Sequence, residues 1–138
     1  MMSIGELSRR AGVKVPTIRY YEQLGLMPEP DRTGANQRRY ASADLDRLAF
    51  IRHARDLGFS IEAISSLLAL SAHPEKPCTD ADAIARDHLE EIRAKIARLR
   101  SLETELARML DHPGCQTIGE CRVIEALSDH SHCSHGHG

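Results

Sequence analysis

The segment Ser3-Ile4-Gly5-Glu6-Leu7-Ser8-Arg9-Arg10-Ala11-Gly12, continued after three residues by Pro16-Thr17-Ile18-Arg19-Tyr20-Tyr21-Glu22-Gln23-Leu24-Gly25, decides how this chain is read. Ser3 with Glu6 three residues on is a capping box, so a helix starts at Ile4. It turns Leu7 and Ala11 inward and stops at Gly12. Pro16 occupies a favoured first helical position and opens a second helix, which runs to Leu24 and stops at Gly25. Two short helices joined by a tight turn make a helix-turn-helix.

Outward from this pair, Pro28, Pro30 and Gly34 forbid a helix, and the chain turns back on itself before Asn36. Gln37-Arg38-Arg39-Tyr40 is then the returning strand of a hairpin, or wing. Ser42 is expected to cap a helix to about Leu57, burying Leu45, Leu48, Ile51 and Ala54, with Gly58 as its stop. Ser60 caps another to about Leu70, burying Ile61, Ile64, Leu67 and Leu68. His73-Pro74-Glu75-Lys76-Pro77 breaks the pattern. Thr79 is placed as the cap of a long helix, Asp80 to about Asp111, with Leu89, Ile92, Ile96, Leu99, Leu102, Leu106 and Met109 or Leu110 recurring at steps of three and four. That spacing is a coiled-coil seam, and nothing else in the chain is large enough to cover it, so a second copy is the economical partner; the other reading is that the helix folds back on the N-terminal domain. Pro113-Gly114 ends the helix, a loop runs from Cys115 to Cys121, and Val123 to Leu127 form a last helical turn.

The expected fold is therefore mainly α. A winged helix-turn-helix DNA-binding domain spans 1–72, and a hinge carrying Cys78 spans 73–79. A dimerisation helix follows at 80–111, then a metal-binding loop and short helix at 112–128, and a disordered His-rich tail at 129–138.

The bulk numbers agree. At 138 residues with 4% aromatics and no Trp, core volume is scarce, which favours helices and a shared dimer core. Residues 1–59 carry a net +3 and the remainder −5, a basic front joined to an acidic rear. No apolar stretch resembles a signal peptide or a membrane span, so the expected compartment is the cytoplasm and no membrane partner is expected. In that compartment the four cysteines, Cys78, Cys115, Cys121 and Cys133, suit metal or redox chemistry better than disulfides. No nucleophile–base constellation or phosphate-cradling glycine loop is visible, which speaks against an enzyme.

On the second helix, Thr17, Arg19, Tyr20 and Tyr21 are the residue types that grip phosphate or read guanine, and Arg32, Arg38, Arg39 and Tyr40 on the wing would add to them. By composition alone, Arg19 and one tyrosine could equally be a solvated face. Gly5-Glu6-Leu7, Thr17-Ile18-Arg19-Tyr20-Tyr21-Glu22, Gly25-Leu26, Arg38-Arg39-Tyr40 and Leu57-Gly58-Phe59-Ser60 closely resemble the MerR family of transcriptional regulators. The resemblance covers nearly the whole chain. It implies a winged-helix DNA-binding domain and an antiparallel coiled-coil homodimer. It also implies a promoter duplex that is bent and untwisted so that RNA polymerase can engage. Where many members carry an aromatic residue in the wing, this chain reads Asn36-Gln37-Arg38.

Cys78 precedes the long helix, whereas Cys115 and Cys121 follow it. A helix of about 32 residues spans roughly 48 Å, so Cys78 cannot meet the other two within one chain. In an antiparallel dimer, Cys78 of one protomer lies beside Cys115 and Cys121 of its partner, giving two symmetry-related sites. Three thiolates suit soft ions, and His112 offers Zn(II) a fourth ligand, although a surface histidine favoured by the helix dipole reads as well. The resemblance agrees. In the heavy-metal branch, a cysteine at this point looks like the mark of divalent-ion sensors, for Cd(II), Pb(II), Zn(II) or Hg(II), and the Cys115/Cys121 pair matches the family's metal loop. His130, His132, Cys133, His135 and His137 offer an auxiliary site, or else a solvated tail. The expected function is a metal-responsive regulator that activates efflux or detoxification genes. Two other readings stand beside it: a thiol or iron–sulfur redox regulator of the same fold, and a metal storage or trafficking protein built around the tail.

Overall fold

The computed structural model describes residues 1–35, 37–111, 114 and 116–129. Asn36 of the wing, the candidate ligands His112 and Cys115, and the tail residues His130, His132, Cys133, His135 and His137 lie outside the described residues.

The element order is α1 (Ile4–Ala11), α2 (Val15–Gln23), β1 (Asp31–Arg32), β2 (Arg38–Arg39), α3 (Ser42–Asp56), α4 (Ile61–Ser71), α5 (Thr79–Leu110), a 3₁₀ turn (Ile118–Glu120) and α6 (Arg122–Ser128). The Ser3 hydroxyl caps α1 by accepting the Glu6 N–H at 3.2 Å, while the Glu6 carboxylate pairs along the helix with Arg10 at 3.6 Å. Gly12 ends α1 in the left-handed region at φ +68°, where a side chain would be strained. The Arg52 guanidinium closes the same end by donating to the Ala11 carbonyl at 2.9 Å. α2 starts at Val15, with Pro16 in its first turn.

Two of the expected caps shift by one residue. α3 begins at Ser42 itself, and the cap position belongs to Ala41, whose N–H donates to the Asp44 carboxylate at 2.8 Å. The acid thus closes the helix start by accepting the cap residue's own N–H, and Ser42 falls in the first turn. Thr79 is likewise the first residue of α5, because the Cys78 carbonyl already accepts the Asp82 N–H at 2.8 Å. Ser60 does cap α4, accepting the Ala63 N–H at 3.1 Å.

The wing is an antiparallel pair in which Asp31 faces Arg39 and Arg32 faces Arg38. Its base is tied to the N-terminus: Met2 and Tyr40 exchange backbone hydrogen bonds at 2.8 and 2.9 Å. The chain divides into two compact units, Met1–Arg86 and Asp87–Gly138. The first holds the core, centred on Leu7, Ile18, Met27, Tyr40, Leu48, Ile51 and Ile64, all essentially inaccessible. Leu45 and Ile61, expected inside, are half-buried against its edge, while Leu67 is half-buried in a neighbouring groove.

In the second unit, none of the described α5 residues is buried. Leu89, Ile96, Leu99, Leu102, Leu106 and Leu110 are exposed along it, Leu99 at 64% and Leu110 at 69%. No helix among the described residues is long and apolar enough to cross a membrane.

Candidate nucleic-acid interface and metal-ligating cysteines

The outward face of α2 carries Arg19 and Tyr20, both exposed, with Thr17 half-buried beside them. Ile18 and Tyr21 point the other way, into the core, as the 3.6-residue period requires. Tyr21 is only 8% exposed, so its ring anchors the helix instead of meeting DNA. The Tyr20 and Tyr21 rings stand 6.2 Å apart, tilted by 41°.

Tyr40 is corrected more sharply. It is fully buried, and its hydroxyl donates to Glu22 Oε2 at 2.6 Å. Burial first, and then this hydrogen bond, push the phenol up to about 12. Tyr40 therefore belongs to the scaffold beneath the interface and not to its surface. Glu22 also accepts from Arg38 Nη1, at 2.5 Å on Oε1. Sequence reasoning gives Glu22 no role. Its partners lie 16 and 18 residues away, and no local spacing rule joins a helix to a strand at that distance.

Arg19, Glu22, Gln23, Glu29, Pro30, Arg32 and Arg38 border a groove of about 200 Å³ between α2 and the wing. Three arginines on one rim suit a polyanion. Arg39 is half-buried on the opposite face of its strand. Beyond the strands, the Thr33 hydroxyl accepts the Ala35 and Gln37 N–H groups at 3.2 and 3.1 Å, and Thr33 N–H donates to the Gln37 carbonyl at 2.8 Å. One threonine thus closes the wing turn.

Cys78 is an exposed thiol at the cap position of α5, its Sγ 3.7 Å from Asp82 Oδ2. Cys121 is half-buried at the head of α6. Thiol donors of this kind fit soft and borderline cations. Among the described residues, no three His, Cys, Asp or Glu side chains are grouped to hold a metal ion.

Family models match this architecture over most of the chain: one described as MerR HTH family regulatory protein over residues 2–70, and one described as MerR, DNA binding over residues 45–109. The chain belongs to the MerR family. It is thus a DNA-binding transcriptional regulator and not an enzyme, and the storage reading falls away. The HTH-type transcriptional regulator ZntR of Escherichia coli K12 is 43% identical over 131 residues, covering 92% of each chain. The mercuric resistance operon regulatory protein of Bacillus cereus is 40% identical over 125 residues, covering 90% of this chain and 95% of its own. Among solved structures, the transcription regulator PbrR691 of Ralstonia metallidurans CH34, in complex with lead(II), superimposes with a TM-score of 0.82. It has 38% identity, covering 92% of this chain and 99% of its own.

Proposed function

We propose that this MerR-family chain is a metal-responsive activator, sensing a thiophilic divalent ion through Cys78 of one protomer and Cys115 and Cys121 of its partner. The observation that carries the reading is the place of Cys78. It sits on the cap of a 32-residue helix, and the other two cysteines follow that helix in sequence. At about 1.5 Å per residue the helix is about 48 Å long. The uncovered apolar stripe of α5 supplies the second chain, and an antiparallel pairing brings opposite helix ends together. The functional division is then 1–72 for DNA, 73–79 for the hinge, 80–111 for dimerisation and 112–128 for the metal loop and short helix. Relatives named for mercuric resistance and solved with lead(II) support a heavy-metal inducer. The candidates are Cd(II), Pb(II), Zn(II) and Hg(II), two per dimer, with His112 the nearest fourth ligand for Zn(II).

Such an ion supplies a cross-link between deprotonated thiolates. Cys78 ties the DNA-proximal end of one protomer to the loop of the other, and that tie biases two arrangements of the DNA-binding units. Arg19, Tyr20, Arg32, Arg38 and Arg39 hold the promoter in both arrangements. Only the arrangement that distorts the duplex presents it productively to RNA polymerase.

Mixing protomers tests the shared site. A Cys78→Ser chain is paired with a Cys115→Ser/Cys121→Ser chain, and Cd(II) binding is followed by thiolate-to-metal charge-transfer absorption. Sharing leaves one complete three-thiolate site in the heterodimer and none in either variant homodimer. A heterodimer with no tight thiolate-bound Cd(II) would sink the inter-chain site.

A further inference from the structure

Glu22 is an anomaly on a surface made to meet phosphate. A carboxylate in the last turn of the reading helix repels DNA, yet this one is only 9% exposed and both of its oxygens are engaged. Oε1 accepts from Arg38 of the wing, and Oε2 accepts from Tyr40. Arg38 and Tyr40 alternate along one strand, so their side chains leave it on the same face. Tyr40 cannot move, because its ring is fully buried and its backbone is bonded in both directions to Met2. A chain of restraint therefore runs from the core through Tyr40 and Glu22 to the Arg38 guanidinium. Arg38 keeps 29% of its side chain accessible and shares the groove with Arg19 and Arg32.

We propose that Glu22 is a positioning residue for DNA docking: it locks the wing's Arg38 to the reading helix, so that Arg38 and Arg19 meet neighbouring phosphates in a fixed register. Arginine carries much rotamer freedom, and three arginines on one rim repel each other. Glu29, exposed on the same groove, shares in offsetting that repulsion, but only the buried Glu22 carboxylate is bonded to Arg38 and removes its freedom before DNA arrives, which lowers the ordering cost of binding. A guanidinium has five N–H donors, so the one given to Glu22 leaves others for phosphate. The proposal rests on the DNA-docking reading above and adds a division of labour to it.

The two alternatives predict opposite signs. If Glu22 merely neutralised charge, Glu22→Gln would tighten binding. As a positioning residue, its loss weakens binding by a factor on the order of ten and lowers the salt slope by about one per protomer, because Arg38 no longer holds its phosphate. The experiment titrates the full-length dimer onto a duplex selected in vitro by the parent protein, across a salt series, well below each variant's thermal midpoint. Glu22→Gln, Arg38→Ala and the double variant are compared. The expected result is a similar loss for each single variant and no further loss in the double, the signature of one shared interaction. Parental affinity, tighter binding, or additive losses would overturn the proposal. Should Glu22→Gln fail to fold, Tyr40→Phe decides. It keeps the ion pair but frees one carboxylate oxygen, so weaker binding is expected and unchanged binding refutes the clamp. Failure of the parent protein to select any duplex would instead refute the DNA-docking reading itself.

Discussion

Single residues divide here into those that meet the ligand and those that hold them in place. Arg19→Ala should weaken operator binding to the same extent with and without metal, because docking precedes sensing. A salt series should show the slope falling by about one for each phosphate that the variant no longer neutralises. Equal affinities of parent and variant would remove Arg19 from the interface. Tyr40 makes a prediction in alkali. Unfolded, its phenol ionises near 10, whereas in the fold it keeps its proton to about 12. The stabilisation this represents is complete below about pH 10 and is lost as pH rises towards 12. Its upper bound is about 3 kcal/mol. Urea midpoints over that range should fall less steeply for Tyr40→Phe than for the parent, and parallel curves would show that the phenol is not held. Arg19 is legible in the sequence because polar residues on the open face of a helix declare themselves by period. Tyr40 misleads for the converse reason. Beside two arginines it looks like a phosphate ligand, and only the fold shows that strand alternation sends it inward to Glu22.

At the level of elements, glycines and caps carry most of the information. Gly12, Gly25 and Gly58 all adopt positive φ, and each follows a helix end that the sequence marks. The one-residue shifts at Ala41 and Cys78 arise because a serine or threonine can be a cap or a first-turn residue: at Ala41 the acid three residues on decides it, and at Cys78 the backbone bond from Asp82 does. The 3₁₀ turn Ile118–Glu120 has too few residues to show any period, so nothing local announces it. α5 is legible to within one residue at each end, since seven apolar positions in one phase outweigh any local signal. Leu99, 64% exposed near the middle of that stripe, is the place to test it. Leu99→Asp gives up about 2 kcal/mol of apolar burial and adds the desolvation of a carboxylate. Dimerisation should weaken by at least about 100-fold, read as a shift to monomer in sedimentation velocity. A dimer of parental strength would place the interface elsewhere.

For the molecule as a whole, the cysteine spacing points to the sensing function, because helix length is one of the few distances that sequence supplies directly. It does not choose the ion, since thiolates accept all four candidates. The His-rich tail is the least legible part, as composition allows both an auxiliary site and a solvated end. Deleting residues 129–138 should leave dimerisation, operator binding and metal-triggered transcription intact while lowering the total Cd(II) bound at equilibrium dialysis. Loss of induction in that variant would make the tail part of the switch. The uncovered stripe of α5 reaches beyond architecture. In the proposed dimer, a helix with no fully buried residue in its own chain would tie the survival of each newly made copy to how soon it meets another. Scarce copies spend longer single and open to proteases, whereas abundant ones are sheltered. On that pairing the cell's stock of this regulator would be governed at the lower end by encounter as well as by synthesis, and halving its production should more than halve the pool ready to occupy a promoter.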